Sequence, residues 1–374
     1  MKHVLVLTST FPLNENDGTN PSVKNICLEL ARYFKITLLL PDHRDFKMEN
    51  LNNIEVIHFR YFWPRYAQRL IYEQGIVPKI KSNPLYAFQA LTFVICQIIA
   101  VRKICAREKI DIILANWALP SGLAGVISSK KTVVYIHGSD LFIKNIFYKI
   151  ILKIIIHRSK HIITVSKFLE KRIRSNYKIK NISTVSQGTT VKSKAKLFAQ
   201  NNYLIFIGRL IKGKGVVELI SAFKIISPQY RNLKLYIIGE GPQQKYFLKL
   251  AKENKNIKFF GKVPSNKVQS YLSKGKVLIF PSKLDEGLPN IILEAGISKI
   301  PIIATRSGGV REIINNQTGF LTSGRPRDMA QKIQDVLDNY QTAQKKSAKL
   351  FQLIRNQHSV SASAKKITLI LNSL

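Results

Sequence analysis

Short runs of apolar and β-branched residues alternate along the chain with longer segments of helical period. In the first half these runs are HVLVLTS, KITLLLP, IEVIHF, IDIILAN, TVVYIHG and HIITVS. In the second half the pattern restarts with NYLIFIGRL and continues through KLYIIGEG, IKFFGKV, VLIFPS, IPIIAT and GFLTS. Near-continuous apolar runs are typical of buried parallel strands. The pattern therefore predicts an α/β protein with two doubly wound parallel sheets in series.

The length of the chain supports the same division, because 374 residues are more than one hydrophobic core usually serves. We expect an N-terminal domain over residues 1–188 and a C-terminal domain over residues 200–356. The polar segment Ser186–Asn202 is the best candidate for the linker. After a break near Gln357, we expect a last helix over residues 359–374 that packs back on the N-terminal domain.

One segment of the N-terminal half is free of charge and could be taken for a membrane span. Leu85–Val101 is 17 residues long and includes Gln89 and Gln97. A spanning helix needs about 20 apolar residues. We therefore expect Leu85–Val101 to be a buried core helix.

A second apolar segment, Asn145–Lys160, carries basic residues at helical spacing. Lys149, Lys153 and His157 recur every four residues, opposite an isoleucine-rich face. This pattern suits a basic amphipathic helix at a membrane surface, and it equally suits a helix packed on the sheet with snorkelling lysines. The sequence leaves both interpretations open.

Charge and cysteine content narrow the class of protein. The formal net charge of +37 suggests a nucleic-acid binder, but the charge is spread along the chain instead of forming one basic stripe. Two interpretations of the charge stay open: codon bias alone, or codon bias together with a functional surface that attracts anionic lipids or substrates. Cys27, Cys96 and Cys105 are too scattered for a disulfide framework or a metal site. With a first strand in place of a signal peptide, the sequence predicts a cytoplasmic protein without nucleic-acid partners.

Candidate binding residues follow the predicted strands of the second half, where open α/β sheets bind their ligands. The segment GRLIKGKG places Arg209, Lys212 and Lys214 among glycines after one strand, as a phosphate site requires. The spacing differs from that of a Walker loop. The segment GEGPQQ, which includes Gly241, precedes a helix and allows a ligand to approach its N-terminus.

The segment KLDEGLPNIILEAGISK carries two glutamates, Glu286 and Glu294, on either side of Gly-Leu-Pro. Pro289 suits the first turn of a helix that would continue to about Ser298. Eight helical residues rise about 12 Å, whereas the paired carboxylates of glycosidases lie about 5–10 Å apart. The spacing therefore argues against a catalytic pair and leaves two interpretations: two contacts to one elongated ligand, or a solvated Glu286 with a structural Glu294.

The order of several motifs resembles that of family 4 retaining glycosyltransferases, which have the GT-B fold of two Rossmann-like domains around a cleft. These motifs are FIGRLIKGKGVVELISAF, IIGEGP, FFGKVPSNKV, FPSKLDEGLPNIILEAGISKIPIIAT, SGGVREII and TGFL, and they cover nearly all of residues 203–330. In the first half VLTSTFP, ANWALPSGL, YIHGSDL and ITVS match more loosely. The resemblance implies a metal-independent hexosyltransferase that builds bacterial surface polysaccharide or lipopolysaccharide.

The resemblance also implies roles for individual residues. Arg209 and Lys214 would bind the diphosphate of a UDP- or GDP-sugar and neutralise the leaving group. Glu286 would contact the transferred sugar, and Glu294 would bind the ribose hydroxyls. Val263 would lie near the base. The remaining donor contacts would come from the backbone and side chains at Gly241, Gly287, Leu288, Pro289 and Asn290.

The N-terminal half would supply the acceptor side. His137 would lie near the transferred sugar, and Asp140 would shape the same loop. Asp17 and Gly18 fall where the family has a glycine-rich loop, but NENDGTNPS replaces that loop here. SKIP, with Lys299 where a glycine is common, and SQGTTV in the linker are further departures from the family pattern.

The implied reaction is a front-face displacement with retention onto a glycan or lipid-linked acceptor, without a cofactor. The chain has no Asp-x-Asp motif, so nothing in the sequence suggests a catalytic metal. The same resemblance would place the enzyme at the inner face of the cell membrane. Alternatives are a GT-B sugar-nucleotide epimerase, which would consume a donor without an acceptor, and a basic nucleic-acid-binding protein.

Overall fold

The computed structural model describes residues 1–15, 17, 21–48, 51, 53–71, 76, 79–80, 83–143, 145–191 and 201–374. The chain divides into two compact units. The first unit consists of Met1–Gly188 together with Val360–Leu374, and the second is Thr189–Ser359.

The first unit is built on a parallel sheet whose strand order is β3-β2-β1-β4-β5-β6-β7. The strands are β1 (His3–Leu7), β2 (Lys35–Pro41), β3 (Ile54–Phe59), β4 (Ile112–Asn116), β5 (Lys131–Ile136), β6 (His161–Thr164) and β7 (Ile182–Thr184). Strands β1 and β4 pair in parallel, with Val4 beside Ile112. The order runs in opposite directions from these two strands, which therefore mark the switch point of a doubly wound sheet.

The helices of the first unit cover the faces of this sheet. They are α1 (Pro21–Leu30), α2 (Pro84–Arg107), α3 (Leu123–Ile127), α4 (Ile146–Arg158), α5 (Lys167–Tyr177) and, at the end of the chain, α13 (Val360–Asn372). Helices α2 to α5 share one hydrophobic cluster, which includes Phe93, Ala124, Ile155 and Ile173. Helix α13 packs on α1 instead.

Side chains cap three of these helices where the sequence leads into them. Asn83 accepts a hydrogen bond from the amide of Leu85 at the start of α2, and Asn145 accepts one from Tyr148 at the start of α4. Ser166 caps α5 in the same way. Such caps satisfy amides that have no partner within the helix, and so they fix where each helix begins.

The expectation of a buried core helix at Leu85–Val101 is wrong in extent and in burial. Helix α2 continues to Arg107, so it is 24 residues long, and only 22% of its most apolar 18-residue window is buried. Among the described residues, α2 is the one helix that is long and apolar enough to cross a membrane. Its inner face carries Gln89, Phe93, Gln97 and Val101, and its outer face exposes further apolar side chains.

The second unit repeats the architecture with the strand order β10-β9-β8-β11-β12-β13. The strands are β8 (Tyr203–Ile207), β9 (Lys234–Ile238), β10 (Ile257–Phe259), β11 (Val277–Phe280), β12 (Ile302–Thr305) and β13 (Phe320–Thr322). All pairings in the sheet are parallel. The order reverses between β8 and β11, so the carboxyl ends of these two strands border the switch point.

The helices of the second unit follow the strands in alternation. They are α6 (Val216–Ile226), α7 (Gln244–Ala251), α8 (Ser265–Lys274), α9 (Asn290–Ile297), α10 (Val310–Ile313), α11 (Pro326–Asp338) and α12 (Tyr340–Gln357). Helices α6 and α11 pack against the strands in one cluster that includes Phe206, Phe223, Ile279 and Ile333.

The predicted doubly wound α/β architecture is confirmed in both units. Each of the twelve predicted runs contains one of the observed strands. Strand β7 is not among the predicted runs; it has only three residues and is separated by one residue from the polar segment Ser186–Asn202. A strand this short has too few positions to show a pattern, and it is specified by pairing with β6.

Candidate active site

Two oppositely charged side chains meet at the switch point of the second unit. Lys214 lies in the loop after β8, and Glu286 lies in the loop after β11. The Lys214 ammonium nitrogen is 2.8 Å from both Oε1 and Oε2 of Glu286. The pair is largely withdrawn from solvent, since the two side chains are 13% and 25% exposed, respectively. The ring of Phe280 also lies 5.6 Å from this nitrogen.

Neighbouring residues fix the position of Glu286. The Ser282 hydroxyl donates to Glu286 Oε1 at 2.7 Å. The backbone carbonyl of Glu286 accepts a hydrogen bond of 3.0 Å from the Gly309 amide, and Asp285 Oδ1 accepts one of 3.2 Å from the Gly308 amide. The loop after β12 therefore holds the loop after β11 in place.

Gly308 is required by the closeness of these two loops. A β-carbon at this position would lie 2.0 Å from the Glu286 carbonyl oxygen and 2.7 Å from the Glu286 nitrogen. The φ angle of Gly308 is also positive, at +47°. Any other residue would both strain the backbone and push Glu286 out of position.

The helix that follows Glu286 begins later than predicted. Pro289 is the N-cap, with φ of −67° and ψ of 124°, and α9 begins at Asn290. Because residues 286–289 are not helical, the helical rise of about 12 Å between the two glutamates does not apply.

The backbone before α9 forms a buried donor group next to Glu286. Gly287 and Leu288 are buried, and their amides have no hydrogen-bond acceptor among the residues that the structure describes. Buried amides without a partner are rare in folded proteins. Together with the positive end of the α9 dipole, these two amides suit an anionic or hydroxyl-bearing ligand.

Glu294 lies in the second turn of α9 and differs from Glu286 in its surroundings. Its burial raises the pKa of the carboxyl group above the ordinary glutamate value. The helix backbone at this position is regular, and the Glu294 carbonyl accepts a hydrogen bond of 2.9 Å from the Ser298 hydroxyl. The Glu294 side chain is a candidate hydrogen-bond acceptor whose carboxyl group is harder to ionise than an exposed glutamate.

The other predicted donor residues follow β8, β9 and β10 at the same edge of the sheet. Arg209 is exposed, two residues after β8. Packing alone explains the glycine at position 241, because a β-carbon there would lie 2.3 Å from the Leu210 carbonyl oxygen. Glu240, which the sequence analysis missed, accepts a hydrogen bond of 3.2 Å from the Lys262 amide and so holds the loop that carries Val263.

In the first unit, His137 follows β5 and both of its ring nitrogens are engaged. The Asn116 Nδ2 group donates to the Leu7 carbonyl oxygen at 3.3 Å. The Asn116 Oδ1 atom is therefore free to accept from His137 Nε2, at 3.1 Å. The Gln187 amide then donates to His137 Nδ1. The ring lies 4.6 Å from the ring of Trp117 and 4.6 Å from that of Tyr135.

This enclosure sets the charge of the histidine. Burial lowers the pKa of His137 to about 3. The imidazole is therefore neutral at physiological pH, with its proton on Nε2 as the Asn116 contact requires.

Asp140 binds backbone amides of two loops. Its Oδ1 accepts from the Ala118 amide at 3.1 Å, and its Oδ2 accepts from the His137 amide at 3.3 Å. Burial raises the pKa of Asp140 to about 6, against the opposing effect of these hydrogen bonds. Asp140 thus joins the loops after β4 and β5. The intervening Trp117 has a positive φ of 66°, which is unusual for a bulky residue.

The remaining acceptor-side predictions concern the loop after β1. Asp17 Oδ2 accepts a hydrogen bond of 2.9 Å from the Leu13 amide, and the Asp17 amide donates to Asn14 at 3.1 Å. Gly18 lies outside the described residues. In the described part of the chain, no group of three or more His, Cys, Asp or Glu side chains is arranged to hold a metal ion.

The sequence of the chain matches the models of two families along nearly its whole length. Residues 189–351 match the family described as glycosyl transferases group 1, and residues 16–192 match glycosyltransferase family 4. The chain belongs to the group 1 glycosyltransferases, of the family 4 type. The resemblance seen in the sequence motifs is thereby confirmed.

Individual relatives agree with this assignment. The glycosyltransferase is 29% identical over 273 residues to an uncharacterized glycosyltransferase of Methanocaldococcus jannaschii, a match that covers 70% of this chain and 74% of the relative. It is 31% identical over 151 residues to the capsular polysaccharide biosynthesis glycosyltransferase CapM of Staphylococcus aureus, which covers 38% of this chain and 39% of CapM.

The structural comparison extends over the whole chain. Anabaena HepE, solved in complex with UDP and glucose, is similar to the glycosyltransferase with a TM-score of 0.73 over 100% of both chains, at 16% identity. At this identity the likeness shows the fold alone, and it confirms the GT-B fold class.

Several site residues could not be identified from the sequence. Ser282, Asp285 and Gly308 hold Glu286, whereas Asn116 and Gln187 hold His137. Glu286 and its three supports lie within the motifs FPSKLDEGLPN and SGGVREII, but only the contact between the two loops shows what the supporting residues do. Gln187 lies at the start of the polar segment Ser186–Asn202 and carries no pattern of its own.

Proposed function

We propose that this glycosyltransferase moves a hexose from a UDP- or GDP-sugar to a glycan or lipid-linked acceptor, with retention of anomeric configuration. The observation that carries the proposal is the Lys214–Glu286 pair at the switch point, next to the amides of two buried residues, Gly287 and Leu288, that have no acceptor among the described residues. In open α/β sheets this is where phosphorylated ligands bind.

The pair suits the loss of a nucleoside diphosphate. An ammonium group has three donors, and two of them contact Glu286. The third can bind the leaving phosphate, where negative charge develops as the bond from the anomeric carbon to the phosphate oxygen breaks. Arg209 would add a second positive charge. We propose that these cations replace a metal ion in this role.

Glu286 would hold the sugar that is transferred. Its carboxylate is fixed by Lys214 and by the Ser282 hydroxyl, and it can accept hydrogen bonds from sugar hydroxyls. The acceptor hydroxyl would attack from the face that the diphosphate leaves, and its proton would pass to the leaving phosphate oxygen. The new glycosidic bond then has the configuration of the donor.

The relatives support the choice of substrates. HepE was solved with UDP and glucose, and CapM is named for capsular polysaccharide biosynthesis. We propose by analogy a nucleotide-sugar donor and a role in bacterial surface polysaccharide synthesis, at the cytoplasmic face of the membrane. Glu294 would bind the ribose and Val263 the base, and neutral His137 would face the transferred sugar.

The test is turnover of UDP- and GDP-sugars by purified protein, measured as release of the nucleoside diphosphate. Glu286→Ala and Lys214→Ala should each lower turnover about 100- to 1,000-fold, as expected for the loss of a group that stabilises developing charge. Glu253→Ala and Lys252→Ala are matched controls, because both residues are exposed on the second unit. The controls should retain turnover.

The same assay separates the alternatives. Wild-type turnover that persists in both site variants would contradict the assignment of the donor site. Interconversion of the donor into its epimer, without release of a nucleoside diphosphate, would identify an epimerase instead of a transferase.

A further inference from the structure

Helix α2 presents an apolar stripe to the surface. Five of its residues are between 46% and 57% exposed: Leu85, Phe88, Leu91, Ile95 and Ile99. They recur every three or four residues, so they lie on one side of the helix and extend over about 20 Å. Soluble proteins rarely leave so long an apolar stripe uncovered.

Helix α4 has a second exposed apolar face beside its buried one. Leu152, Ile155 and Ile156 pack into the core of the unit. Four other apolar residues of the helix are exposed: Ile146, Phe147, Ile150 and Ile154. The isoleucines of this helix therefore exceed what packing on the sheet requires.

Both stripes belong to the same layer of the first unit. Helices α2 and α4 contribute to one hydrophobic cluster on one face of the sheet, and the short helix α3 contacts both. Their exposed residues therefore lie on the side of this layer that faces away from the sheet. We refer to the nine exposed apolar residues of α2 and α4 as the α2–α4 surface.

Two exposed aromatic residues adjoin this surface. The ring of Phe62 lies 6.1 Å from that of Phe88 on α2, which places the following segment beside the N-terminal half of the helix. In that segment Trp63 is 82% exposed, and Tyr66 is also exposed. Tryptophan and tyrosine favour the boundary between lipid and water, where an apolar ring can also meet polar groups.

The charged side chains within the two helices have one sign. Neither α2 nor α4 contains an aspartate or a glutamate. Six lysines and arginines belong to the two helices: Arg102, Lys103, Arg107, Lys149, Lys153 and Arg158. Lys149 and Lys153 border the exposed isoleucines of α4, and Lys103 follows Ile99 by one turn of α2. This arrangement complements a surface that is apolar and negatively charged.

The inner face of α2 argues against a helix that spans the membrane. Gln89 Nε2 donates to the Ala67 carbonyl oxygen at 2.8 Å, and Gln97 lies 3.4 Å from the Ser121 hydroxyl. Between them, Phe93 packs 5.1 Å from Phe59 and 4.9 Å from Tyr61. A spanning helix would have to break these contacts, whereas a helix lying in the membrane plane keeps them.

We propose that the α2–α4 surface docks the enzyme on an anionic lipid bilayer, with both helices parallel to the membrane plane and Trp63 and Tyr66 at the lipid boundary. Apolar burial and attraction of the basic residues to anionic headgroups act together in such binding. The inference goes beyond the proposed transferase activity and does not depend on it, since the donor site residues belong to the other unit.

The test is co-sedimentation of the full-length protein with vesicles of equal parts phosphatidylcholine and phosphatidylglycerol, and with vesicles of phosphatidylcholine alone. Binding should be strong to the mixed vesicles and should weaken without the anionic lipid or at high salt. The double variants Leu91→Asp/Ile95→Asp and Lys149→Glu/Lys153→Glu should each lower the partition coefficient by at least about tenfold.

Helix α13 supplies matched controls in the same unit. Leu369 is exposed, and so are Lys365 and Lys366, while α13 packs on α1 and contributes nothing to the cluster under α2 and α4. Leu369→Asp and Lys365→Glu/Lys366→Glu should therefore bind vesicles as the wild type does. Nucleoside diphosphate release from the donor should be unchanged in all four variants, which shows that they are folded.

Trp63 gives an independent readout. The chain has two tryptophans, Trp63 and Trp117. Mixed vesicles should shift the emission of the wild type to shorter wavelength, and Trp63→Phe should abolish that shift.

Several results would overturn the proposal. The proposal is overturned if the wild-type protein stays in the supernatant with anionic vesicles. It is also overturned if the α13 controls lose as much vesicle binding as the α2 and α4 variants. A dimer that Leu91→Asp/Ile95→Asp dissociates, without vesicle binding, would identify a second copy as the partner. Resistance of the bound protein to alkaline carbonate extraction would indicate a spanning helix. Vesicle binding without donor turnover would leave this inference standing and count against the proposed function.

Discussion

The substitution Gly308→Ala tests how strictly the loop after β12 positions Glu286. The added β-carbon would lie 2.0 Å from the Glu286 carbonyl oxygen, whereas real β-carbons essentially never approach another heavy atom within 3.0 Å. The two loops must therefore separate by about 1 Å. We expect part of this separation in the Glu286 backbone, because the Gly309 amide binds its carbonyl oxygen directly.

The expected loss follows from this displacement. A misplacement of about 1 Å at a positioned group can cost about 100-fold in rate, which corresponds to roughly 2.7 kcal/mol of transition-state stabilisation. The positive φ of Gly308 adds about 1–2 kcal/mol of backbone strain for alanine. We therefore expect turnover to fall about 100-fold, together with a modest decrease in thermal stability.

The assay is release of nucleoside diphosphate at several donor concentrations, paired with thermal unfolding. Gly261→Ala is the matched control, because its φ of +65° is also positive but its β-carbon would meet Glu240 Oε1 at an ordinary 3.5 Å. Gly261→Ala carries only the backbone strain, so it should cost less stability and much less turnover than Gly308→Ala. Turnover of Gly308→Ala within threefold of the wild type would refute the argument that loop contact places Glu286.

Three further predictions concern buried polar groups. Burial raises the pKa of Glu294, so the affinity for UDP should fall as the pH is lowered through that raised value. Titration calorimetry measures this affinity, and Glu294→Gln should show no such dependence. Asp140 has its pKa raised from 3.8 to about 6, so its contribution to the free energy of unfolding should fall by about 3 kcal/mol as the pH rises through this interval. In denaturant titrations, the free energy of unfolding of Asp140→Asn should therefore rise relative to that of the wild type by this amount over the same pH interval. If the free energies of the two proteins change with pH in parallel, the assignment is contradicted. Asn116→Ala should cost about 1–3 kcal/mol in urea unfolding because it removes the buried contacts to His137 and Leu7. A similar loss for Asn256→Ala, whose side-chain hydrogen bond to the Arg231 carbonyl is exposed, would show that burial is not the cause.

The sheets of both units could be predicted because each buried strand is apolar along its length. Val4, Leu5, Val6 and Leu7 of β1, for example, are all completely buried. The interval between strands then indicates crossover helices and a parallel order. The position of the site also follows, since parallel strands end at one edge and the ligand site borders the switch point.

The exposure of α2 could not be predicted from its composition. The uncharged run Leu85–Val101 is short for a membrane span, and its length therefore predicts a buried core helix. The burial of each side chain depends on what the rest of the unit covers: Phe93 and Val101 belong to the core, whereas Leu91 and Ile95 are exposed. A sequence pattern does not carry this information.

The supports of the site were missed for a related reason. Glu286 has a recognisable motif, but its backbone hydrogen bond to Gly309 comes from the meeting of two loops that follow different strands, and its hydrogen bond to Ser282 depends on how its own loop is folded. Asn116 is the last residue of β4 and has an ordinary role in the strand pattern. Only its distance to His137 shows that it selects the tautomer.

The most direct test of the central claim compares Glu286→Gln with Glu253→Gln in nucleoside diphosphate release from UDP- and GDP-sugars. The substitution removes the same charge at both positions, but Glu286 is bound to Lys214 and Glu253 has an 89% exposed side chain. The account predicts that the wild type and Glu253→Gln turn over the same donor at similar rates, while Glu286→Gln is slower by about 100-fold. Equal rates for the two variants would contradict the placement of the donor site at the Lys214–Glu286 pair.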